Sequence, residues 1–215
     1  MGYRVVSISP TDGAAGDQLG AVVARELGFQ LVDEQIVAQA AREAGVNAAV
    51  VADVERRKSL LARLLDGLAE AGPAGAAGVH GFPTVAEHLG PDRDALRGLI
   101  RSALWESAER GNAVIVAHAA SLALAARSDV LRVLITASPE TRARRLAEGQ
   151  GIEEKDAEQQ IARGDANRAD YLKRFYGITS ELPTHYDVVL NTDRIAAEDA
   201  AALILIAARS EPVPI

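Results

Sequence analysis

The sequence predicts an α/β protein with a parallel β-sheet that is covered by helices on both faces. Five short apolar segments are separated mostly by helical segments along the 215 residues, and such chains form parallel sheets through right-handed crossovers. Residues 113–117 are fully apolar and residues 131–136 are mostly apolar, both without alternation, as expected for strands buried on both faces. The first strand runs into a glycine loop and then an amphipathic helix, which is the order in which α/β proteins build phosphate sites.

The N-terminal elements form the start of this pattern. An apolar strand beginning at Val5 precedes the loop, and the helix predicted over 17–27 has a natural end at Gly28. A second strand over 29–32 closes at Asp33. Because the carboxyl ends of parallel strands meet at one edge of a sheet, the loop and Asp33 are expected on the same rim.

The middle of the chain predicts helices around a loop of different composition. Helical periodicity covers residues 34–44, 54–71 and 92–110. Residues 72–83 are rich in glycine and proline, which predicts a flexible loop that is either functional or disordered.

The C-terminal half contains a well-marked helix start. Ser138 is a capping residue followed by Pro139 at the first helical position, and this helix is predicted to run to Glu148 before residues 149–151 break it. The remaining predicted elements are a helix over 153–176, a strand over 187–191 and a helix over 197–209.

Composition narrows the classes of function. The length predicts one domain over residues 1–215, and the net charge of −7 argues against broad nucleic-acid binding. The absence of cysteine excludes disulfides and thiolate chemistry. We find no apolar run that predicts a membrane span and no room for a signal peptide before the first strand, so a cytoplasmic protein is expected.

The first loop is the leading candidate for a phosphate site. Glycines let backbone amides approach an anion, and a hydroxyl can add a further donor. The alternative is a tight turn that only requires positive φ angles. The candidate phosphate-binding residues are Thr11, Gly13, Ala14, Ala15, Gly16, Asp17 and Gln18.

A second candidate site is a cluster of arginines on the two predicted helices after Ser138. Arg142 and Arg145 are three residues apart and share one helical face, as do Asp165 and Arg168. The planar guanidinium group binds phosphate oxygens in pairs, so these arginines resemble a phosphate-gripping lid. The alternative is a solvated surface with short-range ion pairs.

A third pair of candidates is Asp33 and His118, which follow the second and third strands. Asp33 is suited to a substrate hydroxyl or amine, or to a helix cap. A lone histidine is more often structural than catalytic. The four histidines show no spacing typical of metal ligands, and no metal site is predicted.

Several stretches together resemble the cytidylate kinase-like family, a branch of the P-loop nucleoside monophosphate kinases. These stretches are residues 7–9 with 13–16 and 19–20, 27–29 with 32–34, 111–116, 132–135 with Arg142 and Arg145, 165–169 with Tyr171, and 186–192. The last three, in this order and spacing, are the specific part of the resemblance.

The resemblance implies a three-layer P-loop NTPase-type fold with strand order 2-3-1-4-5. It implies a helical acceptor-side insert over about 34–95 and an arginine-bearing lid of helices over about 139–177. The implied activity is transfer of the γ-phosphoryl group of ATP to a nucleoside monophosphate such as CMP, with Mg²⁺. Residues 13–18 would hold the donor phosphates. Arg142, Arg145 and Arg168 would be catalytic lid arginines, and Asp33 would lie near the acceptor nucleotide. His118, after the third strand, is a further candidate for acceptor binding.

Three departures leave alternatives open. Asp17 stands where such loops place Lys or Arg, Gln18 where Ser or Thr is usual, and Ala117-His118 where a Gly-Arg pair is usual. The P-loop is therefore degenerate, and the chain is either a kinase or a catalytically inactive nucleotide-binding or regulatory homologue. A dinucleotide-binding oxidoreductase is a less favoured alternative, because G-x-G-x-x-G is absent. An interaction module is another, with the apolar stripe of residues 60–68 as the face of a homodimer.

Overall fold

The structure is a computed structural model that describes residues 2–33 and 93–213. The predicted helices over 34–44 and 54–71, the predicted loop over 72–83 and most of the proposed acceptor-side insert lie outside these ranges. The stripe of residues 60–68, proposed as a dimer face, lies outside them as well. The described ranges contain the sheet, helices that cover it and the two helices of the predicted lid.

All five predicted strands are present and form one parallel sheet of order β2-β3-β1-β4-β5. The strands are β1 (Val5–Pro10), β2 (Gln30–Asp33), β3 (Ala113–Val116), β4 (Val130–Thr136) and β5 (Val188–Asn191). The helices in the described ranges are α1 (Gly16–Leu27), α2 (Arg93–Arg110), α3 (Ala120–Ala123), α4 (Pro139–Gln150), α5 (Glu154–Tyr176) and α6 (Ala197–Arg209). The predicted fold class and strand order are confirmed.

Each face of the sheet has its own hydrophobic core, because successive side chains of a strand point to opposite faces. On one face, Ile8 of β1 packs in a cluster with Leu19 of α1 and Ile204 of α6. On the other face, Val5 of β1 packs in a cluster with Leu104 of α2. The central strand β1 is therefore covered on both sides, and even its two serines, Ser7 and Ser9, are fully buried.

The end of α4 differs from its predicted position. The helix was expected to end at Glu148, but it continues through Gly149 to Gln150. One glycine inside a helix costs only about 1 kcal/mol, so Gly149 is tolerated. Gly151 ends the helix because it adopts φ +66° and donates its amide to the carbonyl oxygen of Ala147 at 2.8 Å.

Two short elements carry no sequence signal strong enough to predict them. Helix α3 spans a single turn, too short for helical periodicity to appear. A 3₁₀ turn at Pro183–His185 lies in the connection between α5 and β5. Within the described ranges, none of the helices combines the length and apolar character that a bilayer crossing requires.

The strand register places the predicted site residues at one edge of the sheet. Asp33 pairs with Val116, and Ile8 of β1 pairs with the same residue from the other side. Pro10 pairs with Ile135 on β4. The carboxyl ends of the five strands therefore lie together, and the loops that follow β1 and β3 lie on the expected rim.

The buried cores predict a large difference between two identical substitutions. Ile135→Ala removes a side chain with no exposed surface, so it should lower the free energy of unfolding by about 3 kcal/mol. Ile206 is 69% exposed on α6, and Ile206→Ala should change stability by less than about 0.5 kcal/mol. Urea denaturation monitored by circular dichroism measures both values. Equal losses for the two variants would contradict this difference in burial.

Candidate phosphate-loop site

The loop between β1 and α1 has the shape of an anion-binding turn. Gly13 has φ +77° and Ala15 has φ +67°, so two residues adopt the left-handed conformation. The amide of Thr11 donates to the carbonyl oxygen of Ile135 at 2.9 Å, and the amide of Ala14 donates to that of Thr11 at 3.0 Å. The turn is therefore tied both to β4 and to itself before α1 begins.

The first turn of α1 forms the far side of this loop. Its first main-chain hydrogen bond joins the amide of Leu19 to the carbonyl oxygen of Ala15 at 3.1 Å. The amides of the preceding turn point out of the helix end, where an anion is stabilised. Asp17 and Gln18 are both exposed there. The carboxylate of Asp17 suits the helix dipole, but it repels a phosphate at the same place.

Arg142 of α4 forms the back wall of the loop. Its two terminal nitrogens donate to the carboxylate of Asp165 on α5 at 2.8 and 2.6 Å, and Nη1 also reaches the carbonyl oxygen of Asp12 at 3.4 Å. The arginine is buried, and its Nε is enclosed without a hydrogen-bond partner in the described part of the chain. A Cβ on Gly13 would lie 2.7 Å from the carbonyl oxygen of Arg142.

Arg145, one turn further along α4, supports the loop from below. Its Nη1 donates to Oγ1 of Thr192 at 2.9 Å, and its Nη2 donates to the carbonyl oxygen of Thr192 at 2.6 Å. Thr192 is buried, and its hydroxyl lies 3.3 Å from the carbonyl oxygens of both Ala14 and Thr136. Arg145 therefore connects α4 to the loop through the residue that follows β5.

Arg168 of α5 brings a second guanidinium group to the start of the loop. Its Nη1 donates to the carbonyl oxygen of Pro10 at 2.8 Å and lies 2.8 Å from Nδ1 of His118. Its Nε and Nη2 donate to the carboxylate of Glu181 at 2.5 and 2.8 Å. The side chain of Arg168 is only 9% exposed. This buried cation therefore has one edge on the loop and one edge on a carboxylate.

Glu181 and Tyr186 lie behind Arg168. The hydroxyl of Tyr186 donates a short hydrogen bond to Oε1 of Glu181. Burial alone would raise the pKa of Glu181, but the hydrogen bonds and charge of Arg168 outweigh it and hold that pKa below 4.5. Burial opposes the charge of Arg168, yet Glu181 raises the pKa of the guanidinium group. Burial and the neighbouring Glu181 also raise the pKa of Tyr186 well above its ordinary value.

His118 contacts the loop from the end of β3. Its Nε2 is 3.4 Å from Oδ1 of Asp12, and its Nδ1 is 3.1 Å from the carbonyl oxygen of Pro10. Arginine can only donate, so a hydrogen bond from Arg168 to Nδ1 requires the proton to sit on Nε2, facing Asp12. In this arrangement His118 joins the loop to α5.

Asp12 also packs against the middle of α5. A Cβ added at Gly164 would collide with Oδ2 of Asp12, so the absence of a side chain at Gly164 allows the close approach. Gly164 therefore has a packing role in a helix that the sequence predicts in spite of it.

The structure gathers most of the predicted site residues around one loop and leaves one apart. Arg142, Arg145, Arg168 and His118 all contact the loop, directly or through one residue. Asp33 ends the edge strand β2, on the same rim but next to β3. The residues that the sequence patterns did not single out as site residues are Asp12, Glu181, Tyr186 and Thr192.

Some of these omissions had a signal in the sequence. Tyr186 and Thr192 belong to the stretch 186–192 that carries part of the family resemblance, so their position could have drawn attention. Glu181 lies in an irregular connection after Gly177, and nothing in its neighbourhood indicates that it faces Arg168. In residues 2–33 and 93–213, no group of three or more His, Cys, Asp or Glu side chains is arranged for metal binding.

The parallel sheet of order 2-3-1-4-5, with a glycine loop after its central strand and arginine-bearing helices packed on that loop, defines a P-loop kinase-type α/β protein. The cytidylate kinase-like family model matches residues 5–194, and the chain belongs to that family. This membership agrees with the resemblance seen in the sequence and favours it over the dinucleotide-binding alternative.

Two similar proteins extend this comparison. The chain is 35% identical over 101 residues to a cytidylate kinase from Pyrobaculum aerophilum, a match that covers 46% of this chain and 54% of that relative. The match thus spans about half the length of the relative. The crystal structure of an uncharacterized protein from Eubacterium ventriosum superposes with a TM-score of 0.67 at 14% identity, covering 96% of this chain and 99% of that chain. That likeness shows a shared fold.

The packing of Gly13 against α4 predicts a difference between two glycine substitutions. Gly28 has φ +66° and open space around it, so Gly28→Ala should cost about 1–2 kcal/mol from backbone strain alone. Gly13→Ala carries the same strain and also drives a methyl group into Arg142, which should add about 1–3 kcal/mol. Denaturant unfolding measures both losses, and equal losses would show that α4 does not pack closely on the loop.

The lowered pKa of Glu181 predicts a pH-dependent cost for Glu181→Gln. Near pH 7 the substitution leaves Arg168 buried without its carboxylate, which should cost about 3 kcal/mol. Because the folded state holds the pKa below 4.5, the stabilisation by ionised Glu181 is complete above pH 4.5 and is lost as the pH falls through the folded value. The difference between native protein and variant should therefore shrink below pH 4.5. Urea unfolding at several pH values measures it, and a constant difference would be inconsistent with this ion pair.

Proposed function

We propose that this chain binds a nucleoside triphosphate on the loop of residues 11–18 and transfers its γ-phosphoryl group to a nucleoside monophosphate of the CMP type. In this reaction an acceptor phosphate oxygen forms the new bond to the γ-phosphorus. The bond from that phosphorus to the bridging oxygen breaks, and the nucleoside diphosphate leaves. Asp33 and His118, at the carboxyl ends of β2 and β3, are the proposed acceptor-side residues.

The observation that carries the proposal is the position of Arg168 on the loop. Its Nη1 lies 2.8 Å from the carbonyl oxygen of Pro10, where β1 enters the loop. Phosphoryl transfer depends almost entirely on positioning and on stabilising negative charge. Arg168, with Arg142 on the neighbouring wall, would supply the positive charge that Asp17 does not.

Asp17 sets the main cost of this arrangement. A unit charge 4 Å from a phosphate changes the interaction by about 1 kcal/mol in water-like surroundings. Asp17 is exposed, so the water-like value applies, and salt reduces it further. Replacing a favourable cation by an anion therefore weakens triphosphate binding by about tenfold or somewhat more. That penalty slows a kinase without abolishing it.

Magnesium would enter this site with the triphosphate. Mg²⁺ favours carboxylate and carbonyl oxygens together with substrate phosphates. Asp17 and Gln18, exposed in the first turn of α1, offer such oxygens, so this pair fits a hydrated magnesium ion better than a bare phosphate. When bound, the ion would offset charge on the phosphates. The orientation of the donor nucleotide would still depend on the loop and the lid arginines.

A second candidate function is nucleotide binding without turnover. The favouring observation is that Arg142 and Arg168 are each paired with a carboxylate of the chain itself, Asp165 and Glu181. With Asp17 also negative, the loop has little net positive charge. This small positive charge would be enough for a regulatory homologue that binds a nucleotide without turning it over.

A charge series at residue 17 tests the proposal. ATP, Mg²⁺ and CMP are supplied to the native protein, Asp17→Asn and Asp17→Lys, and ADP formation is followed with a coupled assay. We expect turnover by the native protein above a no-enzyme control, and kcat/KM about tenfold higher for Asp17→Lys with Asp17→Asn in between.

Glu154→Lys is the matched control for this series. Glu154 is an exposed acid in the first turn of α5, about 15 Å along the helix from Gly164, which contacts the loop. Glu154→Lys therefore makes the same change of charge as Asp17→Lys, at a helix end that is far from the loop. Its kcat/KM should equal that of the native protein. Calorimetric binding of ATP without turnover in any variant would favour the second candidate function. If no variant binds ATP and none turns it over, both candidate functions are refuted.

A further inference from the structure

The connection between α5 and β5 places two residues directly behind Arg168. Glu181 is 16% exposed and receives hydrogen bonds from Nε and Nη2 of Arg168 at 2.5 and 2.8 Å. Tyr186 is buried and donates to Oε1 of the same carboxylate. Neither residue touches the loop through these contacts, so both act on it through the arginine.

The planar geometry of the guanidinium group determines which N–H groups of Arg168 are left for other partners by its contact with Glu181. A guanidinium carries five N–H donors and can face two planar partners along different edges. Glu181 takes the edge formed by Nε and Nη2, whereas Nη1 is directed at the carbonyl oxygen of Pro10. Nη1 also lies 2.8 Å from Nδ1 of His118, so its two N–H groups already face Pro10 and His118. A phosphate that takes the place of one of these two acceptors meets Arg168 without displacing Glu181. The carboxylate holds the arginine in place rather than competing for it.

Tyr186 makes the hold on Arg168 rigid. Oε1 of Glu181 accepts from both Arg168 and Tyr186, so the carboxylate plane is fixed from two directions. Tyr186 lies two residues before β5, which starts at Val188 and pairs with β4. Through Glu181 and Tyr186, the orientation of Arg168 is therefore fixed relative to the sheet.

We propose that Glu181 and Tyr186 are positioning residues that orient the guanidinium group of Arg168 toward the phosphate of a nucleotide on the loop. This inference rests on the proposed function, because it presumes that a nucleotide phosphate occupies the loop. The pair stays effective across the physiological range, since Glu181 remains ionised and Tyr186 remains a donor: Arg168 lowers the pKa of the first, and burial with Glu181 raises that of the second.

The test compares Glu181→Gln and Tyr186→Phe with a matched control, Asp187→Asn. Asp187 makes the same kind of bidentate ion pair, with Arg132 at 2.6 and 3.1 Å, but on β4 away from the loop. Tyr186→Phe removes one hydrogen bond and keeps the ring, so it reports on positioning even if Glu181→Gln does not fold.

The first readout requires no nucleotide. Nitrogen-edited NMR follows the Nε–H signal of Arg168, assigned by its loss in Arg168→Lys. We expect a distinct, slowly exchanging signal in the native protein and in Asp187→Asn, which broadens in Tyr186→Phe and merges with the averaged arginine signals in Glu181→Gln.

The second readout separates kcat from KM with ATP and CMP as substrates. A misplaced arginine should lower kcat about tenfold in Glu181→Gln while changing KM for CMP by less than about twofold, with a smaller fall in Tyr186→Phe. Asp187→Asn should retain native values. A higher ATP affinity or a higher kcat in Glu181→Gln would overturn the inference, because it would make Glu181 a competitor of phosphate.

Failure of the proposed function would look different. A native protein that neither binds ATP nor turns over would refute the nucleotide role of the site and of this pair together. An unchanged Arg168 signal and native kinetics in Glu181→Gln, beside an active native protein, would refute the positioning role alone.

Discussion

A buried guanidinium group must be matched by an acceptor, and this constraint organises the region around the loop. The side chains of Arg142 and Arg168 are 6% and 9% exposed, and each has a carboxylate on a different segment of the chain. Leaving either cation unpaired would cost several kcal/mol, so the partners Asp165 and Glu181 fix where α4, α5 and the connection after α5 can lie. Between themselves, α4 and α5 pack through a small cluster whose buried side chains are Ala143, Ala157 and Ile161.

The sheet could be predicted from sequence because its physics is local and repetitive. Unbroken apolar strands such as 113–116 and glycine-ended helices such as α1 follow from burial on both faces and from left-handed caps, and each leaves a mark within a few residues. The strand order came from the family resemblance. Helix α3 escaped prediction because a single turn is too short to show periodicity.

The sequence could indicate which residues belong to the candidate site, but not which of their side chains contact each other. The glycine loop, the lid arginines and the end of β3 all carry recognisable residue types. What no pattern indicates is that Arg168 faces Glu181, thirteen residues away across an irregular connection, or that Arg145 reaches Thr192 after β5. These contacts depend on how α5 and β5 approach the loop in three dimensions. Ala15 shows the same limit, because its left-handed conformation is set by the turn rather than by the residue.

The contacts of Arg168 also change the interpretation of Asp17, which stands where such loops place Lys or Arg. From sequence, an acid in the first turn of α1 looks like the loss of the one essential cation of the loop. In the structure, Arg168 contacts Pro10, the last residue of β1 before that loop, with Glu181 and Tyr186 behind it. An arginine held from behind has already given up its rotational freedom, so contact with a phosphate costs little further ordering. If a nucleotide binds as proposed, a loop that lacks its own cation places a greater demand on how firmly Arg168 is held. In that proposal the rigidity of Arg168, more than the number of charges, sets how well the site uses a nucleotide.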